Sequence, residues 1–210
     1  KRQYHLLDAT PRMQFIRYQL GKTIERVTWA LHQQGTKSQF EAKATEVLFG
    51  QVAKEQGVPG LELPLTSGGK LFVRGKIDRI DTAVIQGETW LSVVDYKSSR
   101  REFNLTDAYF GLAMQLITYL DVALKDASVL LGIEEAKAAG AYYFHVQNPL
   151  VTVEGATEKE RLKTFKYEGL FVDHAEVFPL YDQSLAEKEY SSVFPIRADK
   201  DGKLTKVGQS

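Results

Sequence analysis

Asp78, Asp95 and Lys97 combine residue types and spacing that could do chemistry, within residues 75–99, GKIDRIDTAVIQGETWLSVVDYKSS. The segments Leu71–Ala83 and Thr89–Lys97 are rich in Val, Ile, Leu, Phe, Trp and Tyr, and a Gln86-Gly87 turn candidate separates them. That pattern predicts an antiparallel hairpin. If Gln86 and Gly87 are the loop residues, Ile85 faces Glu88, paired numbers sum to 173, and Asp78 falls opposite Asp95. Opposed residues share a face with Cβ atoms about 4.5–5.5 Å apart, and Lys97, two residues past Asp95, points the same way. Slipping the loop to Gly87-Glu88 opposes Asp78 to Lys97 instead. All three groups stay on one face in either register.

Two acids brought together on an apolar hairpin repel each other and lose solvation. A divalent cation resolves that conflict, since Mg²⁺ takes hard carboxylate oxygens and completes its shell with water and phosphate oxygens. Such an ion polarises a phosphoryl oxygen and lowers the pKa of an attacking water, while a nearby ammonium holds that water or neutralises developing charge. The set therefore suits phosphodiester hydrolysis. Taken singly, Asp78 between Lys76 and Arg79, or Asp95 with Lys97, is an ordinary surface charge pair worth little energy. Only the ordered set points to chemistry.

That set extends downstream to Gln115-Leu116-Ile117-Thr118-Tyr119, where Gln115 and Tyr119 share a helix face at i and i+4. Asp78 followed by Asp95-Tyr96-Lys97 resembles the D…(D/E)xK signature of the PD-(D/E)xK nuclease superfamily, and the later segment resembles the QxxxY motif of its RecB-like branch. The ordered motifs GxIDRID, VVDYKSS and GLxxQLxTYL are most similar to the nuclease domain of AddB (RexB-like) subunits of bacterial helicase–nucleases, over roughly 39–147. The resemblance implies an α/β fold of restriction-endonuclease type, with a mixed central β-sheet flanked by helices. It further implies a DNA exonuclease domain using Mg²⁺ or Mn²⁺, with Asp78 and Asp95 as metal ligands, Lys97 positioning or activating water, and Gln115 orienting the array. Supporting or DNA-binding roles are expected for Tyr119, Arg79, Tyr96, Arg100 and Arg101. Glu46 either reaches the site from its own strand or is a solvated strand carboxylate. DNA and a helicase partner of AddA type are the implied partners, in double-strand-break repair and recombination, in the bacterial cytoplasm at the nucleoid.

The elements that must position these groups follow from periodicity. Residues Gln14–Gln33 carry Phe15, Ile16, Leu20, Ile24, Val27, Trp29 and Leu31 at helical spacing and are closed by Gly35. Phe40–Phe49 is an expected strand, residues 57–60 (GVPG) a turn, and Leu61–Leu65 a further strand. A helix capped by Asn104 or Thr106 should run to about Lys125, and Ala139–Gln147 should be a buried strand ended by Asn148-Pro149. Its His145 is expected to be a packed core histidine or a DNA contact. Beyond it, Ala156–Tyr167 reads as a charged helix, Gly169–Val172 as a docking segment, and Gln183–Tyr190 as a short helix.

The 210 residues, 43% hydrophobic, are expected to form one nuclease domain, 1–210, with a core at about 39–147 and a C-terminal extension over 148–210. An initial Lys and a polar GKLTKVGQS tail suggest a piece excised from a larger chain. No long apolar span appears, so no membrane partner is expected. Formal net charge is zero, yet residues 70–101 hold Lys70, Arg74, Lys76, Arg79, Lys97, Arg100 and Arg101 against Asp78, Asp81, Glu88 and Asp95. That local surplus favours DNA contact modestly.

Two departures from the resembled family stand out. None of His5, His32, His145 or His174 sits in the upstream GxxxH-type context that supplies a further metal ligand in RecB-like nucleases. The chain has no Cys, so the four-cysteine iron–sulfur cluster of many AddB relatives is not possible in these residues. An alternative is therefore a nuclease-like DNA-binding or structural module that does not cut by itself. A glycosidase-type acid pair is a weaker third reading, because it leaves Lys97 and the QxxxY segment unexplained.

Overall fold

The central hairpin forms in the register that a Gln86-Gly87 loop dictates. Strands β4 (Gly75–Ile85) and β5 (Glu88–Lys97) pair antiparallel from Ile85 opposite Glu88 to Arg79 opposite Val94. Gln86 and Gly87 both have positive φ, 51° and 83°, the type I′ geometry whose twist matches the flanking strands. The computed structural model describes residues 10–50, 58–98, 114–146, 157–174, 176–187, 190–191, 193–194, 196–198 and 204–206.

Around the hairpin a five-stranded mixed sheet is built in the order β1, β4, β5, β6, β7, where β1 is Glu41–Phe49, β6 Lys137–His145 and β7 Glu168–Phe171. The β5–β6 pairing is parallel and the others are antiparallel. A parallel pair needs a crossover, and α2 (Met114–Lys125) with the short α3 (Ala127–Leu131) lies in that connection. The expected caps Asn104 and Thr106 lie outside the described residues. A left-handed Gly132 (φ 68°) ends α3.

Residues 71–74 do not extend the hairpin strand as periodicity suggested. Lys70–Val73 (β3) pairs with Leu61–Pro64 (β2) in a separate two-stranded sheet. The Gly169–Val172 docking segment falls mostly within β7, which closes the sheet edge against β6. The charged helix expected over Ala156–Tyr167 is only α4 (Glu158–Leu162) and one 3₁₀ turn. The short helix expected over Gln183–Tyr190 is a 3₁₀ turn at Gln183–Glu187, preceded by α5 (Phe178–Tyr181). Strands β8 (Ile196–Ala198) and β9 (Leu204–Lys206) form a last small sheet.

Each face of the main sheet is covered by its own core. On one, Leu116, Tyr119, Val122 and Ala123 of α2 pack over Ile80, Leu91, Val93, Ala141 and Tyr143, since positions i, i+3 and i+7 give the helix one apolar stripe. On the other, Val27 and Ala30 of α1 (Pro11–Gly35) meet Val94, Tyr142 and Phe144 together with Phe165, Tyr167, Phe178, Tyr181 and Phe194. Thr10 caps α1, its hydroxyl accepting from the Met13 N–H at 3.3 Å, and Pro11 takes the first turn, where a missing N–H costs nothing. The apolar face of α1 continues toward its N-terminus as Met13, Ile16, Leu20 and Ile24, all exposed. No helix among the described residues is long and apolar enough to cross a membrane.

Candidate active site

Alternation along β5 puts Asp95 and Lys97 on the α2 face of the sheet, with Tyr96 on the other. Lys97 Nζ lies 2.5 Å from Asp95 Oδ2, and these side chains are only 20% and 6% exposed. Helix α2 supplies the group that fixes them. Gln115 Oε1 accepts from Lys97 Nζ at 2.9 Å, while Gln115 Nε2 donates to Asp95 Oδ1 at 3.2 Å and to the Tyr119 hydroxyl at 2.9 Å. The amide has one sensible orientation, because an ammonium can only donate and a carboxylate only accept. Tyr119 packs edge-on against Phe49 of β1, ring centroids 5.7 Å apart, which anchors the helix end of the array.

Asp78 enters from β4. The last paired residues of the β4–β5 ladder are Arg79 and Val94, and continuing that count puts Asp78 opposite Asp95. At this point the Tyr96 N–H donates to Asp78 Oδ2 at 2.9 Å, so a side-chain carboxylate takes the donor that faces β4. The two acids thus stand where the strands stop pairing, Asp78 half-buried and Asp95 buried.

Arg79 and Tyr96 are placed on the opposite face. The Arg79 guanidinium bonds Asp81 Oδ2 at 2.7 Å, the Tyr96 hydroxyl at 2.8 Å and the Tyr167 hydroxyl at 2.8 Å. Burial opposes its charge, but Tyr167, Asp81 and Tyr96 more than compensate and hold its pKa above the ordinary value. Burial pushes the Asp81 carboxyl up, with Arg79 acting against that shift. This buried pair braces β4 and β5 from behind: Tyr96 bonds Arg79 through its side chain and Asp78 through its backbone.

Glu46 is exposed and ion-pairs with Lys76. Arg100 and Arg101 lie outside the described residues. Two residues of β6 also border the array: Tyr143, which the sequence did not nominate, and His145, read there as a packed core histidine or a DNA contact and found buried. Tyr143 of β6 pairs with Asp95, and Lys97 Nζ lies 5.3 Å from its ring centroid. His145 pairs with Lys97 in the same ladder, with its Nε2 3.5 Å from Glu168 Oε2 of β7. Strand alternation in AYYFH was the available signal, but it needed the parallel register, which only the crossover supplies.

Among the described residues no group of three or more His, Cys, Asp or Glu side chains is placed to hold a metal ion. Two carboxylates just past the end of the β4–β5 ladder nonetheless fit Mg²⁺, which binds through one or two carboxylates and keeps waters and phosphate oxygens for its other positions. Zinc or iron–sulfur chemistry is a poorer fit, because the donors are oxygens and the chain has no Cys.

A mixed α/β sheet carrying two acids and a lysine on adjacent strands, locked by a helical Gln, defines a hydrolase of the D…(D/E)xK type. A family profile for the PD-(D/E)XK nuclease superfamily matches residues 2–200, and the chain belongs to that superfamily. It is similar to proteins named as the B subunit of an ATP-dependent helicase/deoxyribonuclease: 50% identical to that of Enterococcus faecalis over 92% of this chain and 16% of the relative. The corresponding protein of Latilactobacillus sakei is 40% identical over 97% of this chain and 18% of its own length. That of Lactiplantibacillus plantarum is 38% identical over 95% and 17%. The chain thus spans 16–18% of the length of these relatives.

Proposed function

We propose that this chain is the Mg²⁺-dependent DNA-hydrolysing domain of a helicase–nuclease, acting as an exonuclease. The observation that carries the reading is the closed array Asp95–Gln115–Lys97 beside Asp78 at the end of the β4–β5 ladder. Asp78 and Asp95 would hold the cation, which when bound polarises the scissile phosphate and acidifies its water. Lys97 is held by Gln115 and Asp95 so that its ammonium can donate to the attacking water or to a phosphate oxygen. Gln115 keeps Lys97 and Asp95 at a fixed separation, and preorganisation of this kind is where such sites gain their rate. The names of the relatives support DNA as substrate and an ATP-driven helicase as partner; the resemblance of the motifs to AddB subunits makes that partner one of AddA type. A bacterial cytoplasmic setting at the nucleoid, in double-strand-break repair, accords with that role.

The test is degradation of linear single- and double-stranded DNA with Mg²⁺ or Mn²⁺, by the protein, Asp95→Ala and Lys97→Ala. The expected result is hydrolysis stopped by EDTA and reduced at least about 100-fold in each variant, the scale on which removing one preorganised electrostatic group acts. Hydrolysis that survives both substitutions would place the chemistry elsewhere. No turnover by the protein, alone or with its helicase partner, would leave a DNA-binding module that does not cut.

A further inference from the structure

Strand β4 runs on to Gly75 and β5 to Lys97 after their last paired residues, Arg79 and Val94. By the same count Lys76 is the counterpart of Lys97, as Asp78 is of Asp95. Lys76 therefore belongs to the site by position, and its ammonium is held above its ordinary pKa chiefly by Glu46, with smaller contributions from Asp78 and Tyr119. It is not part of the Gln115 array. Its side chain is 44% exposed where that of Lys97 is 20% exposed, so Lys76 is the more accessible cation at this end of the ladder.

Glu46 is the second unusual feature. It lies within β1, between Thr45 paired with Arg79 and Val47 paired with Ile77, yet its φ is 56°. Among the described residues the only other non-glycine with positive φ is Gln86, whose turn requires it. An exposed ion pair returns too little energy to explain a left-handed glutamate inside a strand. Residues held in such conformations concentrate at binding and switch sites. Here the strained residue presents an anion to a lysine beside two catalytic acids.

We propose that Lys76 binds the phosphate next to the one under attack, and that Glu46 is the stand-in anion which that phosphate displaces. The proposal rests on the nuclease reading for the identity of the substrate. Lys97 is tied into the array with Asp95 and Gln115, while Lys76, paired with Glu46, stands outside that array on the neighbouring strand. The two lysines are therefore placed to meet two phosphates of one strand rather than one.

Binding of a fluorescein-labelled single-stranded oligonucleotide, followed by anisotropy in EDTA across a salt series, tests this for the protein, Lys76→Gln, Glu46→Gln and the double variant. Lys76→Gln should weaken binding several-fold at low salt and reduce the slope of log affinity against log salt by about 0.7, the share of one phosphate on a single strand. Glu46→Gln should tighten binding, and the double variant should lose that gain, because the effect passes through Lys76. An unchanged slope in Lys76→Gln would overturn the proposal. So would a Glu46→Gln gain of equal size with Lys76 absent, which marks a general field effect. Lys76-dependent binding without turnover would sink only the catalytic reading, whereas cleavage whose KM ignores Lys76 would sink only this one.

Discussion

Gln115 makes three hydrogen bonds, to Lys97, Asp95 and Tyr119, and each partner tests a different part of its role. Gln115→Ala should lower kcat about 10–100-fold, the usual effect of removing a group that orients catalytic ligands, with DNA affinity nearly unchanged. Tyr119→Phe should cost only a few-fold, since the amide keeps its bonds to Lys97 and Asp95. A Tyr119→Phe loss as large as that of Gln115→Ala would show that the hydroxyl does more than anchor the amide. At this scale the sequence was informative where alternation and turn length sufficed: Asp78, Asp95 and Lys97 share a face by counting alone, and Gln115 follows from helical spacing. Arg79 was harder to read. Its charge suggested DNA contact, while its odd-numbered place beside Asp78 puts it behind the sheet, and its partner Tyr167 lies 88 residues away. Tyr143 had no local signal, because its place depends on the parallel register across the crossover, whereas Lys76 falls opposite Lys97 by the same hairpin count as the acids.

The hairpin was legible as an element because a two-residue loop leaves one register once the loop residues are chosen. The strand expected at Leu61–Leu65 forms as β2, but its pairing with β3 and the edge strand β7 were not legible, because four-residue segments carry too few alternations to identify. The Gly75 position at the start of β4 shows what the elements demand of each other. A Cβ there would lie 2.8 Å from the Phe49 ring and 3.3 Å from the Tyr119 ring, so β4, β1 and α2 meet through the absence of a side chain. Gly75→Ala should therefore destabilise the fold by about 1–3 kcal/mol, the usual cost of overpacking. It should also reduce turnover by more than the folded fraction explains, because displaced Tyr119 carries Gln115 with it. Urea denaturation beside single-turnover cleavage separates the two effects. Normal turnover per folded molecule would show that α2 tolerates the shift.

Across the whole molecule, the face opposite the site is sealed by residues from both ends of the chain: Val27 and Ala30 from α1, and Tyr167, Tyr181 and Phe194 from the C-terminal part. Sequence periodicity could not show that convergence, since short helices and turns so far along the chain from α1 carry no sign of where they dock. The seal buries several phenols, and burial favours the neutral form. Tyr167 is pushed up to about 12, with Arg79 acting against the shift, while burial also raises Tyr96, Tyr142 and Tyr181. In the unfolded chain a tyrosine ionises near pH 10. Below that value both states hold the proton and the full contribution to stability is present; above it the unfolded chain releases the proton first, so stability falls as pH rises through the folded pKa. Tyr167 alone, moved from 10.0 to about 12, accounts for on the order of 2–3 kcal/mol over that window. Urea midpoints should stay level from about pH 7 to 9 and drop steeply between about 10 and 12. The part of the tyrosinate absorbance at about 295 nm that belongs to these buried phenols should then rise together with loss of the fold, because burial favours their neutral form. If it instead rises to completion near pH 10 while circular dichroism remains native, the phenols behind β4 and β5 are open to solvent, and the bracing of Asp78 through Tyr96 and Arg79 would have to be abandoned.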